Sequence, residues 1–315
     1  MLREREEAAV PNVFECFRFT QGNSEYYEQL FKNGFLNQQL TRKINHGVRD
    51  DGLLNLTDKD FYSTVLPVPP VEEQQRIAEI LSACDRVIEL KQKLVEELQQ
   101  LKKTCLAKMF PQKGCTTPEI RFPGFTDPWE LCKLGDIGSV AMCRRIFKHQ
   151  TSESGEIPFF KIGTFGGKPD AFISRELFDE FKAKYPYPEK GDILISASGS
   201  IGRTVEFTGE NEYFQDSNIV WLKHDKSIIN SFLRHLYSVV EWAGIEGSTI
   251  KRLYNDNILK TEVMLPSVQE QTKIAEMLDG IDGLITHHQR ELEEVQQKKK
   301  ALMQLLLTGL VRVNN

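Results

Sequence analysis

The sequence lacks the cysteine and histidine spacings of a metal-binding or disulfide-stabilised scaffold. Its six cysteines are scattered, with no Cys-x-x-Cys pair and no histidine at ligand spacing. We therefore expect neither zinc nor disulfides, and a reduced, cytoplasmic chain. The charged residues 1–7 precede no apolar segment of the secretory type, and the longest apolar stretch, 301–311, is too short to cross a bilayer. No membrane association is predicted.

The chain also lacks an excess of positive charge. It carries 40 basic and 45 acidic residues, a net charge of −5, and residues 116–265 hold 18 basic against 21 acidic side chains. A protein that coats DNA without sequence preference is basic, so that class is disfavoured. A local basic patch remains open, because net charge does not describe how charge is distributed. Binding of a polyanion by this chain alone should be weak, and a partner would have to supply much of the grip.

What the sequence does have is an internal repeat with an offset of 197 residues. Segments 69–100 and 266–297 align without gaps and are identical at 15 of 32 positions. Each follows a proline and reads as a helix, over about 71–109 and 268–306, or about 58 Å of helix each. Apolar residues recur in both at heptad spacing, which is typical of a coiled-coil seam. The seam residues are Ile77, Leu81, Ile88, Val95 and Leu98 in the first helix, and Ile274, Leu278, Ile285, Leu292 and Val295 in the second.

The shared register favours an antiparallel pair of helices that acts as a spacer between two domains. The alternative is that each helix packs only on its neighbouring domain. Between the helices, short β-rich runs begin at Leu134, Ile157, Gly191 and Ser217, and residues 231–242 read as a helix. This predicts an α/β or α+β domain with a small sheet.

The segment before the first helix repeats only the last part of that domain. Residues 13–19 correspond to the strand at 217–222, 26–40 to the helix near Ser231, and 56–61 to 253–258. We expect four parts: the end of a first domain (1–67), a helix (68–110), a complete domain (111–265) and a second helix (266–315). The apolar residues of the short first part should be only partly buried, namely Val13, Phe14, Phe17, Phe19, Tyr26 and Tyr27.

Three motifs resemble those of the specificity (S) subunits of Type I restriction-modification systems. The helix entries at 68–78 and 265–275 resemble the family's LP-x-x-x-EQ-x-x-IA signature. The run at 120–130, with Leu134-Gly-Asp-Ile, is similar to the start of a target-recognition domain. Residues 191–202 resemble the family's strand and glycine turn.

The resemblance implies a non-catalytic subunit that selects a split double-stranded DNA site, each half read by one target-recognition domain. It implies docking of modification methyltransferase subunits, and through them of restriction translocase and nuclease subunits. S-adenosylmethionine, ATP and Mg²⁺ would belong to those partners, and we expect no cofactor or metal in this chain. Because the first domain is incomplete, we expect one chain to read one half-site through residues 116–265, with self-association through the long helices as an alternative arrangement.

The chain contains no motif for the reactions of such complexes. Neither an F-x-G-x-G cofactor loop nor an N/D-P-P-Y/F run of adenine methyltransferases occurs. Residues 198–204 are glycine-rich but lack the lysine and spacing of a nucleotide phosphate loop, so a tight turn between strands is the simpler interpretation. Asp170, Glu180 and Lys182 match a nuclease metal motif only superficially.

Candidate DNA contacts are basic or hydroxyl residues near strand and turn ends. Arginine reads guanine through two hydrogen bonds, and lysine or arginine binds phosphate. A solvated surface charge is the alternative for each single residue. The candidates are Arg144, Arg145, Lys148, Lys161, Ser198, Ser200, Arg203 and Lys251, the last beside Arg252.

Two functions are consistent with the sequence. One is a DNA-recognition and scaffold subunit; the other is a coiled-coil protein that organises partners without reading DNA. The repeat fits both, whereas the recognition-domain motifs favour the first.

Overall fold

The computed structural model describes residues 19–43, 57–244 and 252–313. The chain divides into two compact units, which we describe separately. The first unit consists of residues 1–97 and 285–315, and the second of residues 98–284. Both divisions fall inside long helices, so the units cut across the four parts predicted from the repeat.

The two long helices have the predicted bounds to within one residue. Helix α4 spans Val71–Met109, and α9 spans Val268–Leu307. Each helix begins shortly after a proline. A glutamine side chain of the first turn donates a hydrogen bond to the carbonyl of that proline: Gln74 to Pro69 at 2.7 Å, and Gln271 to Pro266 at 3.0 Å. Proline suits this position because the first N–H groups of a helix have no intrahelical partner and proline carries no N–H. The glutamine amide gives the proline carbonyl its hydrogen bond.

Ion pairs show that these helices run antiparallel. In the first unit, Lys91 binds Glu291 (2.9 Å) and Asp85 binds Lys299. The lower residue number on one helix is paired with the higher residue number on the other, as in an antiparallel pair. In the second unit, Lys102 binds Asp282 (2.6 Å). Asp282 and Lys299 are the counterparts of Asp85 and Lys102 at the offset of 197. The same lysine–aspartate pair therefore occurs once in each unit.

Burial along the predicted seam depends on position. In the first unit, Ile77 and Leu81 form a core with Tyr26, Leu30 and Leu306, so here the helix packs on a neighbouring element as well as on its partner. Along the rest of the seam, buried and half-buried positions both occur. Buried are Ile77, Leu81, Val95, Ile274, Leu278 and Ile285, whereas Ile88, Leu98, Leu292 and Val295 are half-buried.

Three short helices precede α4 in the first unit. They are α1 (Ser24–Lys32), α2 (Phe35–Leu40) and α3 (Asp58–Tyr62). The helix expected over 26–40 is thus present but interrupted at Gly34, whose φ of +72° lies in the left-handed region that glycine tolerates. Helix α3 corresponds to a later helix, Asn255–Lys260, at the offset of 197.

The expected partial burial of Tyr26 and Tyr27 is wrong. Their exposed fractions are 0% and 4%, because α1 packs against α4 and the end of α9. Phe19 is half-buried and stacks on the Tyr27 ring at 3.9 Å. Val13, Phe14 and Phe17 lie outside the described residues.

The second unit is an α+β domain with three small sheets. Their strand orders are β1-β9, β2-β8-β5-β6 and β4-β3-β7, and all neighbours are antiparallel except β3 and β7. The strands are β1 Glu130–Lys133, β2 Gly138–Ala141, β3 Ile157–Phe160, β4 Phe172–Ile173, β5 Ile193–Ser196, β6 Thr204–Glu206, β7 Tyr213–Phe214, β8 Ile219–His224 and β9 Glu262–Leu265. The helices are α5 Leu134–Ile137, α6 Arg175–Lys184, α7 Asn230–Leu236 and α8 Asn255–Lys260, with a 3-10 turn at Lys148–Gln150.

Two local predictions for this domain need correction. The β-rich run from Leu134 begins as the helical turn α5, because the Asp136 carboxylate accepts a hydrogen bond from the Lys133 N–H (2.8 Å) and caps it. The helix predicted over 231–242 ends at Leu236. Its apolar face is nevertheless buried as predicted at Phe232 and Leu236.

A buried carboxylate connects the start of one long helix to the chain that follows the other. In the first unit, Glu73 of α4 accepts hydrogen bonds from the Arg312 guanidinium, Nε at 2.7 Å. In the second unit, Glu270 of α9 accepts two from Arg121, both at 2.7 Å. Glu73 and Glu270 are equivalent in the repeat, so this paired contact is again present in each unit.

The Arg121–Glu270 pair should be important for stability. Arg121→Ala leaves the Glu270 carboxylate, 1% exposed, without its cation, and removing one partner of a buried pair costs about 3 kcal/mol. Lys108→Ala is the matched control, because its partner Glu119 is exposed and such pairs contribute less than about 1 kcal/mol. Urea unfolding of the two variants measures the difference. Similar small losses in both would contradict the assigned importance of the buried pair.

Candidate nucleic-acid interface

Several strands of the second unit end at one edge. Strand β8 is antiparallel to β2 and β5, with Ala141 opposite Trp221 and Ser196 opposite Ile219, so the last residues of β2 and β5 meet the start of β8. Strands β3 and β7 are parallel and end together, and β7 leads into β8 through residues 215–218. We call this the loop edge: residues 142–148, 161–165, 197–203, 215–218 and 252–257.

The turn at 215–218 holds four other segments of the loop edge. Gln215 Oε1 accepts from the Ile162 N–H at 2.9 Å, and Asp216 accepts from Arg145 Nε at 2.8 Å. Ser217 Oγ accepts from the Arg252 guanidinium at 3.1 Å, and Asn218 Oδ1 accepts from Ser198 Oγ at 2.9 Å. Ser217 has a φ of +50°, rare for a non-glycine residue. These contacts place candidates that are distant in sequence on one surface.

Arg144, Arg145 and Lys148 form the predicted basic cluster on the segment after β2. All three side chains are exposed, with Lys148 on the 3-10 turn. The Arg144 guanidinium lies over the Tyr185 ring, 5.2 Å from its centroid. Both arginines line an open cleft of about 470 Å³ whose other walls include aromatic rings and Asp216. Its lining is Met142, Cys143, Arg144, Arg145, Phe147, Tyr185, Pro186 and Asp216.

Lys161 and Arg203 lie on the next part of the loop edge. Arg203 donates to the Ile162 carbonyl at 3.0 Å, and its guanidinium packs 5.3 Å from the centroid of the Phe165 ring. Lys161 Nζ binds the Asp170 carboxylate at 2.8 Å. Stacking on a ring holds a guanidinium in place and leaves part of its donor fork available.

Ser198 and Ser200 lie in the turn that joins β5 to β6, as predicted for this glycine-rich segment. Gly199 and Gly202 adopt φ of +67° and +79°, which explains the glycines without a phosphate-binding role. Ser200 is exposed, and its carbonyl accepts a hydrogen bond from Ser196 Oγ. Ser198 is half-buried.

Arg252 is a residue of this surface whose place depends on tertiary structure. Lys251, the neighbouring candidate, lies outside the described residues. Arg252 lies 5.6 Å from the centroid of the Tyr254 ring and forms a β-bridge to Ser198. It lines a second open cleft, of about 610 Å³, together with Met142, Ser217, Leu253, Tyr254, Asn255, Asp256 and Asn257. The sequence signal for the connecting turn is its Asp-Ser-Asn composition just before a strand.

The cations of the loop edge differ in how far they are neutralised. Arg145 is paired with Asp216, and Lys161 with Asp170. Within the described parts of the chain, no carboxylate lies within 4.0 Å of the charged groups of Arg144, Lys148 or Arg203. These three cations are available to an external anion. The surface therefore combines free cations, arginine forks and exposed rings.

The cysteine of this surface is not an activated nucleophile. Burial raises the pKa of the Cys143 thiol to about 12, so the cysteine that lines the first cleft is a neutral thiol at physiological pH. The two carboxylates of the nuclease-like motif are held in separate ion pairs, Asp170 with Lys161 and Glu180 with Lys184 one helical turn away.

Comparison with known proteins identifies the family. The model of the Type I restriction modification DNA specificity domain matches residues 15–100 and 126–297, which together exceed half of the chain. The chain belongs to this family. The match over two segments agrees with the internal repeat.

Curated relatives carry matching names. The chain is 45% identical over 230 residues to a putative type I restriction enzyme specificity subunit, S.HindORF215P, of Haemophilus influenzae, covering 73% of this chain and 58% of that protein. It is 27% identical over 310 residues to the MjaVIII specificity subunit of Methanocaldococcus jannaschii, covering 92% and 70%. The chain thus spans little more than half the length of the Haemophilus relative.

Solved structures show the same fold. A crystal structure of the HsdS subunit from Thermoanaerobacter tengcongensis aligns over 91% of this chain and 70% of its own, with a TM-score of 0.50 and 23% identity. An S subunit from M. genitalium aligns over 90% and 72%, with a TM-score of 0.59 and 16% identity. The predicted architecture of a recognition domain plus two long helices is confirmed. Among the described residues, no helix is long and apolar enough to span a membrane.

The strained backbone at Ser217 gives a test of the turn that organises the loop edge. Ser217→Val places a β-branched residue in the left-handed region, which costs about 1–2 kcal/mol. Ser217→Gly adopts the same φ without strain and loses only the hydroxyl that Arg252 contacts. Thermal unfolding should therefore show a larger loss for the valine variant. Equal losses would mean that the backbone conformation is unimportant there.

Proposed function

We propose that this chain selects the DNA sequence on which a Type I restriction-modification complex acts, through the loop edge of its second unit. The observation that carries the proposal is the convergence of Arg144, Arg145, Lys148, Arg203 and Arg252 on one strand-end edge. Strand-end loops present side chains without constraint from a sheet ladder, and such loops commonly carry recognition residues.

The residues of the loop edge suit different contacts with DNA. Arg144 has a guanidinium free of any described carboxylate, suited to the paired acceptors of guanine or to a phosphate. Arg145 is held by Asp216, so a phosphate would compete with that carboxylate for the same fork. The hydroxyl of exposed Ser200 adds a neutral donor, and Lys148 a flexible cation. Phosphate contacts position the protein, and base contacts specify the sequence.

Partner subunits would supply the remaining affinity and the chemistry. The loop edge has few cations for a DNA-binding surface, and the whole chain is acidic. Modification methyltransferase subunits would bring S-adenosylmethionine, and restriction subunits ATP and Mg²⁺. The first unit offers a docking feature: α4 exposes the stripe Val87, Leu90 and Leu94, with exposed fractions of 41%, 68% and 36%. A partner helix is the natural cover for such a stripe.

A scaffold without DNA readout is the other candidate function. It explains the long helices and the apolar stripe equally well. It gives no reason why, among the described residues, Arg144, Lys148 and Arg203 without a carboxylate partner and three arginine–ring contacts gather at one edge of the second unit. That clustering favours DNA recognition, and the next experiment separates the two functions.

Replacing both arginines of the cluster should weaken binding to the target. In the complex assembled with its modification subunit, Arg144→Ala/Arg145→Ala should lower DNA affinity about tenfold or more, because one lost guanine contact costs about 1–3 kcal/mol. Loss of a phosphate contact instead weakens all sequences alike and reduces the slope of log affinity against log salt by about 1. Binding measured at several salt concentrations, on target and non-target duplexes, distinguishes the two roles.

The matched control removes two positive charges from the opposite edge of the same sheet. Lys190 precedes β5 and Lys223 lies near the end of β8, at the far ends of these strands. Lys190→Ala/Lys223→Ala should therefore leave affinity within about twofold, apart from the general field effect that salt screens. Equal losses in both double variants, or none in either, would contradict the assignment of the loop edge.

The isolated chain should transfer no methyl group to DNA. It lacks the F-x-G-x-G cofactor loop and the N/D-P-P-Y/F catalytic run of adenine methyltransferases. Incubation with labelled S-adenosylmethionine and target DNA should give label only after the modification subunit is added. Incorporation by the chain alone would overturn the non-catalytic role, whereas it would leave the DNA-binding surface untouched.

A further inference from the structure

Two histidines and a glutamate converge on the α9 helix in the first unit. His288 Nδ1 lies 2.9 Å and His287 Nε2 3.7 Å from the same Glu291 oxygen, Oε2. One nitrogen from each ring and a carboxylate oxygen all lie within 4.8 Å of one another. His287 and Glu291 are four residues apart, and His288 and Glu291 three, which places all three on neighbouring positions of one helical surface.

We propose that His287, His288 and Glu291 form a binding site for a late first-row divalent cation such as Zn²⁺ or Ni²⁺. Two imidazoles and one carboxylate are the ligands that these ions share, and water would complete the coordination. Bonds of about 2.0–2.2 Å hold the ligand atoms of a tetrahedral site about 3.3–3.6 Å apart. Glu291 Oε2 lies 2.9 Å from His288 Nδ1 and 3.7 Å from His287 Nε2, so small side-chain rotations would bring these atoms to that spacing.

Solvent access and charge both favour this site. The side chains of His287, His288 and Glu291 are 61%, 22% and 38% exposed, so an ion can reach them without unfolding the helix. The Glu291 carboxylate supplies the negative charge of the site, and each histidine already directs a ring nitrogen at it.

Lys91 is the group that competes with the cation. Its ammonium binds Glu291 Oε2 at 2.9 Å, the same oxygen that both histidines approach. A cation bound at this oxygen would compete with the ammonium, so metal binding would weaken the Lys91–Glu291 contact between α4 and α9. This competition predicts that removing the lysine strengthens metal binding, a result that a merely structural cluster does not give.

The internal repeat shows that the heptad pattern does not require these residues. Their counterparts in α4 are Leu90, Lys91 and Leu94, of which the two leucines belong to the exposed apolar stripe. The neighbouring pairs Asp85/Asp282 and Ile88/Ile285 are identical. The polar triad is therefore a local departure within an otherwise similar helix.

A second cluster, in the other unit, differs in the accessibility of its histidine and in the ion pairs of its carboxylates. His235, Asp279 and Asp282 also bring three ligand atoms together. There, however, Arg234 binds Asp279 and Lys102 binds Asp282, and His235 is only 1% exposed. An incoming ion would have to displace both cations and reach a histidine that is closed to solvent, so this cluster is a structural network.

Calorimetric titration of Ni²⁺ into the untagged full chain tests the proposal. Wild type should show one site that is lost or weakened by at least about tenfold in His288→Ala and in Glu291→Gln, since even indirect partners of metal ligands change affinity by about that factor. His287→Ala should act in the same direction. Because His287 is the most exposed member of the triad, its replacement keeps the test independent of any effect on folding.

Two further variants complete the design. Lys91→Met should raise Ni²⁺ affinity by about two- to fivefold, the factor that corresponds to losing one partly exposed ion pair. His149→Ala removes an exposed histidine stacked on Phe147 in the second unit and should leave the titration unchanged. No binding by wild type, unchanged binding in the three triad variants, or weaker binding in Lys91→Met would each overturn the site.

Discussion

A carboxylate at the start of each long helix, bound by an arginine from beyond the end of the other, recurs in both units. Glu73 with Arg312 and Glu270 with Arg121 are the two cases, and both glutamates are nearly inaccessible to water. A buried carboxylate is tolerated only when its cation is held in place, so each pair constrains where the chain following one helix meets the beginning of the other. The antiparallel arrangement within each unit depends on this constraint.

The constraint also positions the elements that pack on the helices. Once the two helices are in register, their ends offer an apolar surface to α1 in the first unit, and Tyr26 and Leu30 are buried on it. In the second unit α7 is connected to α9 by His235 and Arg234, both of which bind Asp279. The loop edge belongs to that same unit and is ordered internally by the turn at 215–218.

The sequence predicted the features that repeat or have a long period. Heptad spacing over nearly forty residues gave the bounds of α4 and α9, and the gapless repeat gave their equivalence. Glycines at 199 and 202 predicted the turn between β5 and β6. The family resemblance is confirmed by the matched domain model, whereas the roles of Arg144, Arg145, Lys148, Lys161, Ser198, Ser200, Arg203 and Lys251 in DNA contact stay predictions.

Features that depend on distant contacts were not predictable in this way. The β-rich run at Leu134 begins as a helical turn because the Asp136 side chain caps it. A single capping hydrogen bond thus outweighs the β-rich composition of the run. Burial of Tyr26 depends on the far end of α9, more than 270 residues away in sequence. The gathering of Arg145, Arg252 and Ser198 depends on three successive residues of one turn, whose partners lie on separate segments.

The most direct test of the account is a domain exchange read by methylome sequencing. Residues 116–265 of this chain would be replaced by the aligned segment of the MjaVIII specificity subunit, which matches 92% of this chain at only 27% identity, leaving both long helices unchanged, in cells that carry the modification subunit. Sequencing of methylated adenines should show a site in which at least one half has changed from that of the unaltered chain. An unchanged site in a complex that still methylates would contradict the claim that this domain reads the DNA.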